Sequence, residues 1–292
     1  MNDKIKILFA MVIFGSIGIF VKNINLPSLE IAFLRATIGS IFLFCFSLLT
    51  KQSFSLDKIK KNALLLIISG AAIGFNWILL FQAYKYTTVS IATISYYFAP
   101  MFVIIAAPFV LKEKLTSTKV LCLIGALIGI IMINLGDGSG VASQNIKGIL
   151  FGLSGAVLYA AVVLINKFIK DLSGFETTLI QLAVSAITLL PFIIYRGEIS
   201  KVKELGTSGL VYVLMVGIIH TGIAYMLYFT AMKSLESHSI AILSYIDPIS
   251  AVIFSTLLLG ESITAVQIIG GIIVLLSTFL VERTGKVNTL EI

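Results

Sequence analysis

Ten apolar runs, each about 20 residues long and separated by short polar segments, restrict most strongly what this chain can fold into. In lipid the backbone must satisfy its own hydrogen bonds, so each run is expected to be a helix. The chain is 58% hydrophobic and 12% charged, whereas soluble domains are about 25% charged. The sequence therefore predicts an all-α polytopic membrane protein with ten transmembrane helices. These are expected over 4–21, 30–50, 62–84, 88–111, 116–135, 146–169, 175–196, 207–231, 236–259 and 264–283.

The composition also excludes several classes of protein. A net charge of +7 would suit nucleic acid, but the basic residues lie in short loops between apolar runs, so we expect no nucleic-acid partner. Cys45 and Cys122 both fall inside apolar runs, which indicates buried thiols and not a disulfide. No Cys/His cluster has metal-ligand spacing, so we expect neither a metal nor a cofactor. The first run follows Lys4 and Lys6 without a small-residue cleavage site and is predicted to be a retained helix.

The chain contains an internal repeat. Pro100 recurs 148 residues later as Pro248, and Glu113 recurs at the same offset as Glu261. One shared register without gaps favours a duplicated unit over chance similarity between apolar segments, because charged residues at matching positions are not membrane filler. The same offset pairs Phe81 with Phe229, Ala83 with Ala231, Lys85 with Lys233 and Tyr97 with Tyr245.

The distribution of lysine and arginine predicts the orientation. With the N-terminus in the cytoplasm, fourteen basic residues are inside, six are outside and Arg35 lies within a span, which favours cytoplasmic termini. Five helices per half is an odd number, so the second copy must enter the membrane inverted. Lys22 and Lys167 align the openings of the two halves. We expect a first repeat over 1–135, a linker over 136–147 and a second repeat over 148–292 with a short cytoplasmic tail.

These features resemble the EamA-type transporters of the drug/metabolite transporter superfamily. The resemblance covers nearly the whole chain and is carried by Pro100 with Glu113-Lys114-Leu115-Thr116, by Pro248 with Glu261-Ser262-Ile263-Thr264, and by Phe14-Gly15 and Arg35. The family often has Trp-Gly where this chain has Phe14-Gly15. The resemblance implies transport of small organic solutes across the bacterial inner membrane and does not identify the solute.

Asp247 is the leading candidate for a functional side chain. It lies midway along the ninth predicted helix, where an acidic residue costs about 2.5–3.5 kcal/mol on insertion scales and should therefore face protein or water. Ser244 and Ser250 lie on the same helical face, and Pro248 frees a backbone carbonyl one turn earlier. Asp247 is predicted to carry a proton or to pair with an ammonium group. The alternative is a structural acceptor beside the proline.

His220 is predicted to be the neighbour of Asp247. The loop between helices eight and nine centres near Ser234, so antiparallel packing places the two side chains at similar depth. Such a pair would suit proton coupling. The alternative for His220 is a hydrogen-bonded core residue.

Several aromatic and amide side chains lie deep in the predicted spans, away from the interfaces where Trp and Tyr usually gather. Their polar groups need partners, which a polar cavity would supply, and their rings could enclose an organic cation. Packing between helices is the alternative. The candidate substrate-binding residues are Asp247, His220, Trp77, Tyr96, Tyr97, Tyr159, Tyr245, Ser244 and Asn76, with Asn166 and Gln181 as further candidates.

Other polar and small residues favour structural roles. Arg35 is expected to snorkel outward or to bond the backbone, with anion binding as the alternative. Glu113 and Glu261 are expected to cap helices five and ten. The spacings Gly70 to Gly74 and Gly125 to Gly129 allow close helix contact, within the bundle or in a homodimer.

The predicted function is secondary active transport of a small organic metabolite, such as an amino acid, an amine or a similar amphipathic solute. Transport would proceed by alternating access in the cytoplasmic membrane, coupled to protons or to exchange. A membrane-embedded enzyme acting on a lipid-linked substrate is the alternative, and only His220 with Asp247 approaches the residues that it would need. A channel or passive scaffold is a third class. No nucleotide-binding loop is present, so this chain is not expected to use ATP.

Overall fold

The chain is a bundle of apolar helices. The computed structural model describes residues 2–52, 54–113, 115–135, 142–196, 202, 205–232, 234–235 and 237–287. Within them, nine helical stretches are long and apolar enough to cross a bilayer, and a further apolar helix, Ala265–Val281, is shorter. The prediction of an all-helical, polytopic membrane protein is therefore confirmed. The helices are α1 (Asp3–Lys22), α2 (Ser28–Leu49), α3 (Leu56–Lys61), α4 (Ala63–Tyr86), α5 (Val89–Tyr96), α6 (Ala99–Val110), α7 (Ser117–Leu135), α8 (Ala142–Asn166), α9 (Gly174–Arg196), α10 (Thr207–Leu214), α11 (Ala224–Met232), α12 (Ser237–Ser244), α13 (Ile246–Leu259) and α14 (Ala265–Val287).

The predicted spans overlap all of these helices except α3, a short basic helix within the segment 51–61. The linker prediction needs correction at one end. Residues 136–141 lie outside the described residues, whereas 142–147 belong to α8. Apolar composition marks only the part of a helix in hydrocarbon, so a polar first turn is easily assigned to a loop.

Two predicted spans are interrupted beside their prolines. The span over 88–111 divides into α5 and α6, with Tyr97 and Phe98 between them. The span over 236–259 divides into α12 and α13 at Tyr245. Proline has no N–H to donate and its ring crowds the preceding turn, so both ladders are interrupted at related positions.

The predicted eighth span contains a π-helical segment that the sequence did not indicate. Residues Met215–Ile223 form this segment between α10 and α11. His220 and Thr221 bond carbonyl oxygens five residues earlier, Nδ1 of His220 to Met215 at 3.0 Å and Oγ1 of Thr221 to Val216 at 2.9 Å. A π-helical turn rotates the following side chains relative to an α-helix and often occurs at functional sites.

Glycines allow three pairs of helices to pack closely. Gly15 packs α1 onto α13, where an added Cβ would lie 2.7 Å from Cβ of Ser250 and would clash with the backbone oxygen of Asp247. Gly74 packs α4 onto α9, and Gly129 packs α7 onto α14. The small-residue spacings in α4 and α7 are therefore used inside this chain.

The ends of the helices are tied together by ion pairs. Lys22 of α1 pairs with Glu261, whose second carboxylate oxygen accepts a 2.8 Å hydrogen bond from the backbone N–H of Val89. The prediction that Glu261 caps helix ten is therefore wrong, because its carboxylate reaches across the bundle to the start of α5. Glu113 pairs with Lys119 at 3.2 Å and with Lys167 at 3.6 Å.

Candidate solute-binding site

The candidate site begins where the two interrupted spans meet. Tyr97, between α5 and α6, donates a 2.6 Å hydrogen bond from its hydroxyl to Oδ2 of Asp247. Asp247 lies in the first turn of α13, where the helix dipole favours a negative charge. The carboxylate is thus held at a helix N-terminus by one neutral donor. This arrangement is suited to a group that gains and loses a proton or a ligand.

Arg35 occupies the interior of the bundle, contrary to the expectation that it snorkels outward. Its side chain is buried, its guanidinium carbon lies 3.9 Å from the ring centre of Trp77, and its Nε donates a 3.0 Å hydrogen bond to Oγ1 of Thr221. Phe81 supplies a second ring at 5.7 Å. The aromatic face attracts the cation and offsets part of the cost of removing it from water.

Tyr96 and Asn76 form a second polar group. The Tyr96 hydroxyl donates to Oδ1 of Asn76 at 3.2 Å, and Nδ2 of Asn76 donates to the backbone oxygen of Gly155 at 2.6 Å. The Tyr159 ring lies 5.5 Å from the Tyr96 ring, although Tyr159 is 43% exposed. Asn76 thus joins α4, α5 and α8 and positions the Tyr96 ring.

His220 does not bond Asp247. Its Nε2 lies 3.0 Å from Oγ of Ser16, its Nδ1 contacts the Met215 carbonyl, and its ring packs against Phe20. The prediction of a His220–Asp247 pair is therefore not supported by the contacts of either side chain. Matching depth on two antiparallel helices says nothing about rotation around each axis, and the π-helical segment directs His220 toward α1.

Tyr245 and Ser244 make contacts outside the Tyr97–Asp247 pair. The Tyr245 ring packs edge-on against Phe279 of α14 at 5.6 Å. Ser244 donates to the carbonyl of Ile240 in its own helix. Gln181, the further amide candidate, donates to Ser69 and to Asn166, both at 2.7 Å. Tyr245 and Gln181 therefore connect neighbouring helices, whereas Ser244 bonds within its own helix.

The central groups act on one another electrostatically. The opposite charges of Arg35 and Asp247 attract each other. The phenol group of Tyr225 interacts electrostatically with both. Tyr84 likewise interacts with both and bonds Thr93 at 3.4 Å. Arg35, Tyr84 and Tyr225 were missing from the predicted binding residues. An arginine within a span and with no acidic residue three or four positions away was the available signal.

A cavity of about 1060 Å³ lies between the ends of α1, α2, α4, α9 and α10, and Arg35 and Asp247 are not among the residues that line it. Ser28 donates a 2.8 Å hydrogen bond to Gln82 across part of it, and Lys85 donates to the Leu26 carbonyl at 2.6 Å. Ile78, beside Trp77 in sequence, also lines the cavity. Arg35 follows Ser28 by two helical turns on the same face of α2.

Comparisons with known proteins agree with this architecture. The profile of the EamA-like transporter family matches residues 4–135 and again 146–283. An uncharacterized transporter, YxxF, of Bacillus subtilis (strain 168) is 34% identical over 97% of this chain and 91% of its own length. An uncharacterized transporter of Archaeoglobus fulgidus is 25% identical over 95% of both chains.

A solved structure, titled only as the crystal structure of a protein, has a TM-score of 0.64 and covers 99% of both chains. At 17% sequence identity, this likeness shows the fold alone. The two family matches together span most of the sequence. This chain belongs to the EamA-like transporter family.

Proposed function

We propose that this protein is a secondary active transporter that moves a small organic metabolite across the cytoplasmic membrane by alternating access. The solute class is an amino acid, an amine or a similar amphipathic molecule. Family membership supports transport, and the buried aromatic and polar groups support an organic solute with both apolar and charged parts. Protons or a counter-transported solute would supply the driving force.

Two inverted five-helix repeats would carry the motion. The family profile matches the chain twice. The helix pairing is also consistent with a two-fold relation, since α1 packs on α13 in one half of the bundle and α8 packs on α5 and α6 in the other. Such repeats commonly place the solute at their interface and rock against each other around it.

The bond between Tyr97 and Asp247 is the single observation that carries the proposal. It joins the interrupted span of the first half to the interrupted span of the second. A solute or proton that changes this bond therefore acts at the contact between the two halves. In discontinuous helices of transporters, the freed helix ends commonly bind substrate or coupling ion.

Ion pairs at the two membrane faces are suited to alternate opening. Lys22–Glu261 and Lys167–Glu113 occupy positions related by the predicted repeat and therefore lie on opposite sides of the membrane. In the proposed orientation the first pair is external and the second is cytoplasmic. We propose that the external pair separates when the cytoplasmic pair is formed, and that the cytoplasmic pair separates when the external pair is formed.

The proposed partners are the solute, protons and the bilayer. Both termini are proposed to be cytoplasmic, which leaves the cavity above Trp77 facing outward. Because the glycine-rich faces of α4 and α7 pack within the chain, they do not argue for a homodimer.

Reconstitution tests the proposed function. Purified protein in proteoliposomes loaded with unlabelled solute should give saturable counterflow of at least one member of a radiolabelled panel of amino acids, amines and organic acids. The label should be recovered chemically unchanged. Counterflow no greater than in protein-free liposomes for the whole panel would contradict transport of these solutes. Recovery of an altered product would support the enzyme alternative.

A further inference from the structure

Arg35 is a buried cation without an ion-pair partner among the described residues. Its side chain is 5% exposed and lies well inside the span of α2. The ion pairs that the described residues form join other side chains. Its side chain contacts the Thr221 hydroxyl and the rings of Trp77 and Phe81. An intramembrane charge held in this way points to a ligand of opposite sign.

The chemistry of the guanidinium specifies the ligand. Guanidinium has five N–H donors in a planar fork, and the bond to Thr221 uses only the one on Nε. Among the described residues the terminal amino groups have no hydrogen bond, and the fork that they form matches a carboxylate in a two-pronged geometry. The guanidinium carbon lies 3.9 Å from the centre of the Trp77 ring.

The cavity beside the start of α2 is the route that we propose toward the guanidinium. Arg35 and the cavity-lining Ser28 share one face of α2, two helical turns apart. Ile78, in the cavity wall, is the neighbour of Trp77. The Ser28–Gln82 hydrogen bond crosses between α2 and α4 above Arg35 and would have to part for a solute to descend.

We propose that Arg35, with Thr221 and Trp77, forms a subsite for the carboxylate of the transported solute. This assignment rests on the proposed transport function and narrows its solute class to molecules that carry a carboxylate. Thr221 orients the guanidinium through Nε, Trp77 supports its face, and the solute carboxylate accepts hydrogen bonds from the terminal amino groups. Asp247 keeps its hydrogen bond with Tyr97 in this arrangement.

Trp77 reports on this subsite directly, because it is the only tryptophan in the chain. The probes are two matched sets that share a side chain and differ in charge. One is L-phenylalanine, 3-phenylpropanoate and phenethylamine; the other is L-leucine, 4-methylpentanoate and 3-methylbutylamine. Trp77 fluorescence is titrated with each probe at constant ionic strength, and with sulfate as an inorganic anion. At least one carboxylate should change the emission saturably, and its matched amine should not.

Variants separate the subsite from general effects. Arg35→Gln should weaken the carboxylate response about tenfold or more, because a hydrogen-bonded charge is lost. Arg35→Lys should recover part of it, and Thr221→Val should weaken it less than Arg35→Gln. The control is Lys58→Gln, which removes an exposed charge from the short helix α3 and should bind like the wild type. If Arg35→Gln does not fold, the wild-type protein still tests the subsite, because its response to each carboxylate is compared with its response to the matched amine.

Three results would overturn the subsite. They are no saturable response to any carboxylate, an equal response to the matched amine or to sulfate, and an unchanged response in folded Arg35→Gln. Transport is measured separately in proteoliposomes. Carboxylate binding at Arg35 without counterflow would support the proposed subsite and contradict the proposed transport function. Counterflow that persists unchanged in Arg35→Gln would support the transport function and contradict the subsite.

Discussion

Tyr97 donates its hydroxyl hydrogen to Asp247 over 2.6 Å, which connects the interruption of one membrane span with the interruption of another. The repeat offset pairs Tyr97 with Tyr245 and Ala99 with Asp247. The bond therefore lacks an equivalent in the other half of the repeat. A polar contact present in only one half of a proposed duplicated scaffold favours a functional role over a purely structural one.

The hydroxyl of Tyr97 should matter independently of its ring. Tyr97→Phe keeps the ring and removes the donor to Asp247, a loss of about 1.5–3 kcal/mol for a bond to a charged group. Counterflow is expected to fall by about tenfold or more, and the thermal midpoint of the purified protein is expected to fall as well, because the bond is present in the folded protein. Tyr195→Phe, at a position 91% exposed, is the matched control. Wild-type counterflow in Tyr97→Phe would show that the bond is not used in transport.

Gly15 should tolerate no side chain. In Gly15→Ala the new methyl group would meet the backbone of Asp247 and Cβ of Ser250 at 2.7 Å, so α1 and α13 would have to separate. Overpacking of this kind costs about 1–3 kcal/mol, and a lowered thermal midpoint is expected. Gly155→Ala is the control, since its methyl group would lie at ordinary contact distances from 3.5 Å. Equal midpoints for the two variants would contradict the close packing.

The ion pair between Lys22 and Glu261 should respond to charge exchange. Lys22→Glu places two carboxylates together and should slow counterflow, because the external closure is lost. Lys22→Glu combined with Glu261→Lys restores opposite charges and should recover part of the rate. The measurement is counterflow in both variants and in Glu261→Lys alone. If the slowing of counterflow in the double variant equals the sum of the slowing in the two single variants, the two side chains do not act as a pair. Recovery is expected to be partial because Glu261→Lys also removes the hydrogen bond from the backbone N–H of Val89.

The orientation can be tested by labelling. Cys45 and Cys122 are first replaced by alanine. In intact cells a membrane-impermeant maleimide should then label Asn25→Cys and should not label Lys58→Cys until the membrane is opened, since both positions are exposed. The segment 196–204, also expected outside, lies mostly beyond the described residues. The opposite labelling pattern would invert the topology and turn the cavity toward the cytoplasm.

The membrane spans could be predicted from the sequence because their signal is length and composition, which do not depend on tertiary contacts. The division of two of these spans into α5/α6 and α12/α13 was not predicted, although it lies beside Pro100 and Pro248, and proline interrupts helical hydrogen bonding. The rotation of side chains around each helix axis could not be predicted. His220 was therefore matched with Asp247 by depth, although it faces Ser16.

The inward position of Arg35 was not the favoured expectation, for a related reason. A basic residue near the end of a span can point outward or inward, and composition does not distinguish the two. The inward direction of the Arg35 side chain depends on Trp77 of the neighbouring helix, and this contact is visible only in the packed structure. The π-helical segment is also invisible in sequence, because Met215–Ile223 has the same apolar character as an α-helix.

Asp247→Asn provides the most direct test of the account, in which Asp247 carries the coupling proton at the contact between the two halves. Gradient-driven accumulation and counterflow are measured side by side, with the solute that shows the strongest counterflow in the wild type. Asparagine can still accept the hydrogen bond from Tyr97 but cannot carry a proton. The account predicts that accumulation driven by a proton gradient is lost while counterflow persists. Wild-type levels of both activities in Asp247→Asn would contradict it.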